Sequence, residues 1–139
     1  MLSELYQELI LDHGRHPRNF GPLEEATHNA EGYNPFCGDQ VHVHLKLDGE
    51  IITDVKFEGM GCAISTASAS MMTQAVTGKT REEAKRLFNE FHLSVTSEAE
   101  PSEELGQAAC LCGVKAYPNR VKCATLAWHA LVEALERDA

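Results

Sequence analysis

The run from Gln40 to Glu58 constrains the fold more than any other part of the chain. Val41, Val43, Leu45 and Leu47 alternate with Gln40, His42, His44 and Lys46. A period of two means a strand with one buried and one wet face. Asp48-Gly49 is a two-residue hairpin signal. Glu50 to Glu58 then returns, with Ile51, Val55 and Phe57 expected inside and Asp54, Lys56 and Glu58 outside. Residues 24–33 read as a weak edge strand. Such a sheet must bury its other face, and helices are the natural cover.

The flanking sequence supplies those helices. Ser3 to His13 suits a short one, with Ser3 as cap and Leu5, Tyr6, Leu9 and Ile10 on one apolar face. It stops at "DHGRHPRNFGP", where Gly14, Pro17, Gly21 and Pro22 forbid continuation. Gly59-Met60-Gly61 breaks the returning strand. A helix of small residues, "AISTASASMM", follows from about Ala63 to Thr77 and ends at Gly78. Thr80 opens the next helix, with Glu83 in the capping-box position, and the helix runs to about His92. "LSVTSEAEPSEE" reads as a polar loop, with Pro101 in the first turn of another short helix. "CGVKAYPNR" reads as a second loop. A last helix spans about Val121 to Arg137, with Leu126, Ala127, Ala130, Leu131 and Leu135 inward. The order of helix, strands and helices is α+β. No repeat or linker divides the 139 residues, so residues 1–139 are expected to form one domain.

Asp and Glu number 21 against 12 Lys and Arg, a formal charge of −9. That balance argues against nucleic acid, whose phosphates demand clustered cations, and against anionic membrane surfaces. No apolar run approaches the roughly 20 residues needed to span a bilayer. "MLSELYQELILDH" lacks the basic start of a signal peptide. The expected location is cytoplasmic, where disulfides are rare. Five cysteines then point to metal or sulfur chemistry, or to small buried hydrophobes.

Three of them share a pattern. Cys37 lies in the turn before a strand. Cys62 sits at the start of the small-residue helix, and Cys123 is expected in the first turn of the last helix. A helix N-terminus favours thiolate, the form that binds metal or attacks sulfur. Asp39 adds an oxygen donor beside Cys37. The separations match no short zinc ribbon or finger, so spacing alone leaves a shared metal site and scattered buried thiols both open.

The segments "LILDHGRHPRNFG", "NPFCGD", "GMGCAISTASASMM" and "VKCATLAWHAL" together resemble the IscU/SufU family of iron–sulfur cluster assembly proteins, over nearly the whole chain. The resemblance implies a three-stranded antiparallel sheet with one face covered by about five helices. It implies that Cys37, Asp39, Cys62 and Cys123 converge at one exposed end, as metal ligands or as ligands of a cluster. Gly38 would let the turn bring Cys37 and Asp39 round together. Lys122 stands where the IscU branch has His. "AYPNRVK" replaces that branch's chaperone-binding segment, so an Hsp70-type chaperone is not an expected partner. The extra segment around "HLSVTSEAEPSEELGQ" and the match of "RVKCATLAWHAL" favour the SufU branch. That branch implies bound Zn2+ and sulfur accepted from a cysteine desulfurase, with Cys123 expected as acceptor because of neighbouring Lys122. The IscU branch implies a scaffold with iron or a labile [2Fe–2S] cluster, handed to apo iron–sulfur proteins or carriers. In either branch the protein is at most a sulfurtransferase working with the desulfurase.

The remaining candidates have plainer readings. Cys110 and Cys112 are two apart, do not share a helix face, and are assigned to packing rather than to sulfur carriage. His42 and His44 share the wet face of a strand and are assigned to solvent rather than to a metal. His13 and His16 belong to the N-terminal motif, either in a desulfurase contact or solvated at a helix end. His129 is assigned a structural role, and Met60, Met71 and Met72 are assigned to the core.

Overall fold

The structure, a computed structural model, describes residues 4–35, 38–97 and 100–136, with the side chains of 4–6 excluded. The expected cap Ser3, the apolar faces of Leu5 and Tyr6, Cys37 and the terminal Arg137 therefore lie outside the described residues or side chains. Helix α1 (Glu4–Arg15) leads to three strands, β1 (His28–Asn34), β2 (Asp39–Asp48) and β3 (Ile51–Met60). Helices α2 (Ala63–Val76) and α3 (Arg81–Thr96), a 3-10 helix (Glu103–Ala116) and α4 (Pro118–Glu136) follow. The sheet is antiparallel in the order β1-β2-β3. This is the expected α+β arrangement. Among the described residues no helix is long and apolar enough to cross a membrane.

The hairpin differs from its sequence pattern in one instructive way. Asp48 pairs with Ile51, so the two-residue loop is Gly49-Glu50, with Gly49 at φ 63. Lys46 pairs with Asp54 but Leu47 with Ile52, which makes Thr53 an extra residue on β3. That bulge turns two successive side chains, Thr53 and Asp54, to solvent. The inward phase passes to Ile52, which is fully buried, while Ile51 is exposed. The expectation for Ile51 is thus corrected by one bulge. Strand β3 also runs on through Gly59 and Met60 instead of breaking at them, and Met60 is exposed rather than core.

Helix α2 owes its position to its small residues. Ala67, Ser68, Ala69 and Ser70 are all buried, so the helix can lie close to both α1 and α4. Thr80 caps α3 with the full capping box to Glu83. That helix continues past His92 through Thr96, because Val95 and Ser94 are buried against the core. "CGVKAYPNR" is not a loop. Its first half ends the 3-10 helix, and Pro118 opens α4 as a first helical residue with no N–H to satisfy. Trp128 of α4 stacks on Phe91 of α3 at 4.6 Å, and both are fully buried. Gly32 gives α4 its close seat on the sheet: a Cβ there would lie 3.0 Å from Leu126.

His13 is not solvated. It is buried, with Nδ1 2.7 Å from Ser70 Oγ and Nε2 2.6 Å from Gln107 Oε1. It ties α1 to α2 and to the 3-10 helix, whereas His16 is exposed. Burial holds the His13 imidazole below its ordinary value of 6.5, against a smaller opposite pull from Gln107. Protonating the unfolded chain is then easier than protonating the fold. Stability is therefore expected to be full above about pH 6.5 and to fall as pH drops from there towards the folded-state value. Thermal melts between pH 7.5 and 5 should show the decline. His13→Gln should shrink that pH dependence while costing about 1–3 kcal/mol at neutral pH through lost buried hydrogen bonds. An unchanged pH slope in His13→Gln would contradict this account.

Candidate metal centre

Three elements meet where β2 begins. Asp39 is the first residue of β2, and its carboxylate is fully buried. Its Oδ1 accepts the backbone N–H of Cys62 at 2.9 Å. Cys62 is the N-cap of α2, and its Sγ accepts the Ser65 N–H at 3.4 Å. The start of one strand and the start of one helix are thus joined through a carboxylate. Gly61 permits it, since a Cβ there would fall 2.7 Å from Asp39 Oδ1. Gly59 permits the approach of the β3 end to β2. Its φ is +147, and a Cβ there would overlap the Gln40 carbonyl.

Cys123 arrives from α4. It is the sixth residue of that helix, in the second turn rather than the first, and is fully buried. The dipole effect fades beyond the first turn. Its Sγ donates to Asn119 O at 3.6 Å, and Asn34 Nδ2 approaches it at 4.0 Å. One donor atom each from Asp39, Cys62 and Cys123 lies within 4.8 Å of the others. Asp39 Oδ2 and Cys62 Sγ are 4.0 Å apart. Donors around a tetrahedral zinc sit roughly 3.5–3.8 Å apart, given bond lengths of about 2.0 and 2.3 Å. The donor set therefore fits such an ion with small inward movement. Cys37, the fourth expected ligand, lies outside the described residues. Gly38 beside it has φ +73, and its N–H bonds Asn34 O at 2.8 Å, closing the turn towards Asp39.

A cation at the sulfurs is Arg120, which sequence reasoning missed. Its pKa is raised, first by attraction to Cys62 and next by a hydrogen bond to Cys123. A guanidinium stabilises negative charge on sulfurs it touches. Lys122, the expected cation, lines a shallow surface pocket with Tyr33, Thr125 and His129. Helical spacing explains the place of Arg120: residues three apart on α4, such as Arg120 and Cys123, share a face. Placing the start of α4 at Pro118 would have pointed to Arg120. Asn34 was also missed, although it opens the "NPFCGD" motif; in the fold it pairs with Asp39 across β1 and β2.

The other candidates are elsewhere. Cys110 is buried against Met71 Sδ at 3.9 Å, and burial pushes its thiol up to about 12. Cys112 is half-buried in the 3-10 helix. No disulfide joins the described cysteines. His44 is buried and held by Asn29 and Glu58, so it is not a freely solvated residue. His129 lies beside Phe88 and His92, and partial burial of its ring lowers its pKa first, then His92.

These differences predict thiol reactivity. In reduced, metal-free protein, iodoacetamide should label Cys62 at least ten times faster than Cys110 at pH 8, because only the thiolate attacks. Arg120→Ala should slow Cys62 and leave Cys110 unchanged. Mass spectrometry of tryptic peptides over time reads both, and comparable rates at the two thiols would contradict the description.

Comparison with known proteins gives one consistent family. The model of the NifU-like N-terminal domain matches residues 5–124. An iron–sulfur cluster assembly scaffold protein IscU of Streptococcus pyogenes is 45% identical, over 99% of this chain and 87% of its own length. A zinc-dependent sulfurtransferase SufU of Bacillus subtilis is 44% identical, over 99% of this chain and 93% of its own. A solved structure from Fervidobacterium islandicum, described as an iron–sulfur cluster assembly scaffold protein for the SUF system, superimposes with a TM-score of 0.87. It is 39% identical and covers 93% of this chain and 95% of that one.

Proposed function

This chain belongs to the NifU-like N-terminal domain family, and from that premise we propose that it is an iron–sulfur cluster assembly protein that holds zinc and accepts sulfur from a cysteine desulfurase. The observation that carries the reading is the meeting of Asp39, Cys62 and Cys123, with one donor atom of each within 4.8 Å of the others. Cys37 completes the proposed ligand set. Bound zinc would keep the thiols deprotonated and so ready as nucleophiles. Asp39 supplies the one hard donor, and its second oxygen is anchored by the Cys62 N–H. Arg120 offers a positive contact for sulfur-borne charge.

In the transfer step, a thiolate of this protein attacks the outer sulfur of the desulfurase's cysteine persulfide. The donor's S–S bond breaks, a new one forms here, and the donor cysteine leaves as thiolate. One ground for Cys123 as acceptor, a first-turn position, does not hold in the fold, since Cys123 is the sixth residue of α4. Cys123 is also fully buried, while Cys62 is half-buried at a helix cap. The sulfur is therefore proposed to land on a site thiol other than Cys123, which serves as the inner anchor. Peptide mapping after turnover should find the persulfide there, and persulfide on Cys123 alone would overturn this assignment.

The scaffold reading remains the second one, because a thiolate-rich tetrahedral set suits an iron–sulfur cluster as well as zinc. One experiment separates them. The zinc-loaded protein should raise alanine production by its cognate desulfurase many-fold, and Asp39→Ala, Cys62→Ala or Cys123→Ala should each lose about one bound zinc per chain and most of that stimulation. Cys110→Ala should lose neither. An unchanged desulfurase rate, together with a transferable cluster built from iron and sulfide, would favour the scaffold.

A further inference from the structure

The inward positions at the site end of β1 are Ala30, Gly32 and Asn34, in steps of two. Ala30 and Gly32 suit the close seat of α4, where a Cβ on Gly32 would lie 3.0 Å from Leu126. Asn34 does not follow that logic. It is buried, and a buried amide is costly unless its polar groups find partners. Its Nδ2 approaches Cys123 Sγ at 4.0 Å, across from β1 to α4. Its backbone carbonyl accepts the Gly38 N–H at 2.8 Å, and the residue pairs with Asp39 on β2. One residue thus touches both the turn that leads into Asp39 and the sulfur that α4 brings in.

The chemistry of Cys123 calls for such a donor. As a thiol it donates to Asn119 O at 3.6 Å. A metal ion takes it as thiolate, without that proton. The sulfur is then an anion that can only accept, sealed from water and facing a carbonyl it no longer serves. Arg120 supplies one compensating donor, from Cys123's own helix. Asn34 supplies another from the sheet, so it also sets how α4 stands against the ligand-bearing turn. The contact is long for a thiol, and charge on the acceptor shortens such bonds. An amide turned to present Oδ1 would suit the thiol but repel the thiolate, so the metal-bound form selects the N–H.

We infer that Asn34 is a positioning residue of the metal centre, whose side-chain N–H donates to the metal-bound sulfur of Cys123 and holds it in place beside Asp39. Groups that bind metals are commonly held by outer hydrogen bonds of this kind. The inference deepens the proposed ligand set and rests on it, but not on the direction of sulfur transfer.

Cadmium-113 in place of zinc is the probe, because through-bond coupling crosses an N–H···S–Cd link. A proton–cadmium correlation spectrum should show the Cβ protons of Cys62 and Cys123, which report that the shared site forms, and the side-chain N–H of Asn34. Cysteine signals without the Asn34 signal would overturn the inference and leave the site intact. Loss of the Cys123 signals would instead remove the ligand set, and the inference with it. Asn34→Asp keeps the shape but offers oxygen alone, and Asn34→Ala removes the group. With cobalt bound, each should move the sulfur-to-cobalt charge-transfer bands to lower energy, since a thiolate without its donor is more electron-rich. Each should also weaken zinc about tenfold in competition with a chelator. Parent band positions and parent affinity in both variants would contradict the inference. Where a variant fails to fold by circular dichroism, the cadmium spectrum of the parent still decides.

Discussion

The hydrogen bond from the Cys62 backbone N–H to the Asp39 carboxylate is the interaction on which the cysteine site depends. It joins the first residue of β2 to the cap of α2, elements separated in sequence by the whole hairpin. A buried carboxylate is costly unless it is hydrogen-bonded or ligates a cation. Asp39 has that bond, and a donor atom of each of two thiols is close by. The two glycines around this bond exist for its geometry: Gly61 clears the carboxylate and Gly59 lets β3 lie against β2. A side chain at either position would push apart the elements that the bond holds together.

The described cysteines meet different environments. Cys110 is sealed beside Met71, where burial suppresses its thiolate, so it contributes packing. Cys62 stands at a helix cap with a backbone N–H pointing at its sulfur. Cys123 is sealed too, but against the site rather than the core, with Arg120 one turn below. Placement by secondary structure, rather than residue type, separates chemistry from packing here.

Much of this was legible in the sequence, for physical reasons that particular residues make clear. The alternation from Val41 to Leu45 gave β2 because nothing competes with a period of two. The Thr80–Glu83 box gave the start of α3 because capping is local. Ile51 was misassigned because a bulge at Thr53 shifts the phase without any local marker. The start of α4 was missed because "AYPNR" has the composition of a loop, although Pro118 is well suited to a first helical residue. That one error hid Arg120 and placed Cys123 a turn too early. His13 is expected at the surface, in a desulfurase contact or solvated, and His44 on the wet face, because their partners, Ser70 with Gln107 and Asn29 with Glu58, come from other elements. The gathering of Asp39, Cys62 and Cys123 could not be read from spacing and came only from the motifs around them.

The most direct test of the account is the coordination shell of bound zinc, measured by X-ray absorption at the zinc edge. The account predicts three sulfurs near 2.3 Å and one oxygen near 2.0 Å, with the oxygen replaced by a fourth sulfur in Asp39→Cys. A shell of four sulfurs in the parent protein, or an oxygen that persists unchanged in Asp39→Cys, would contradict it.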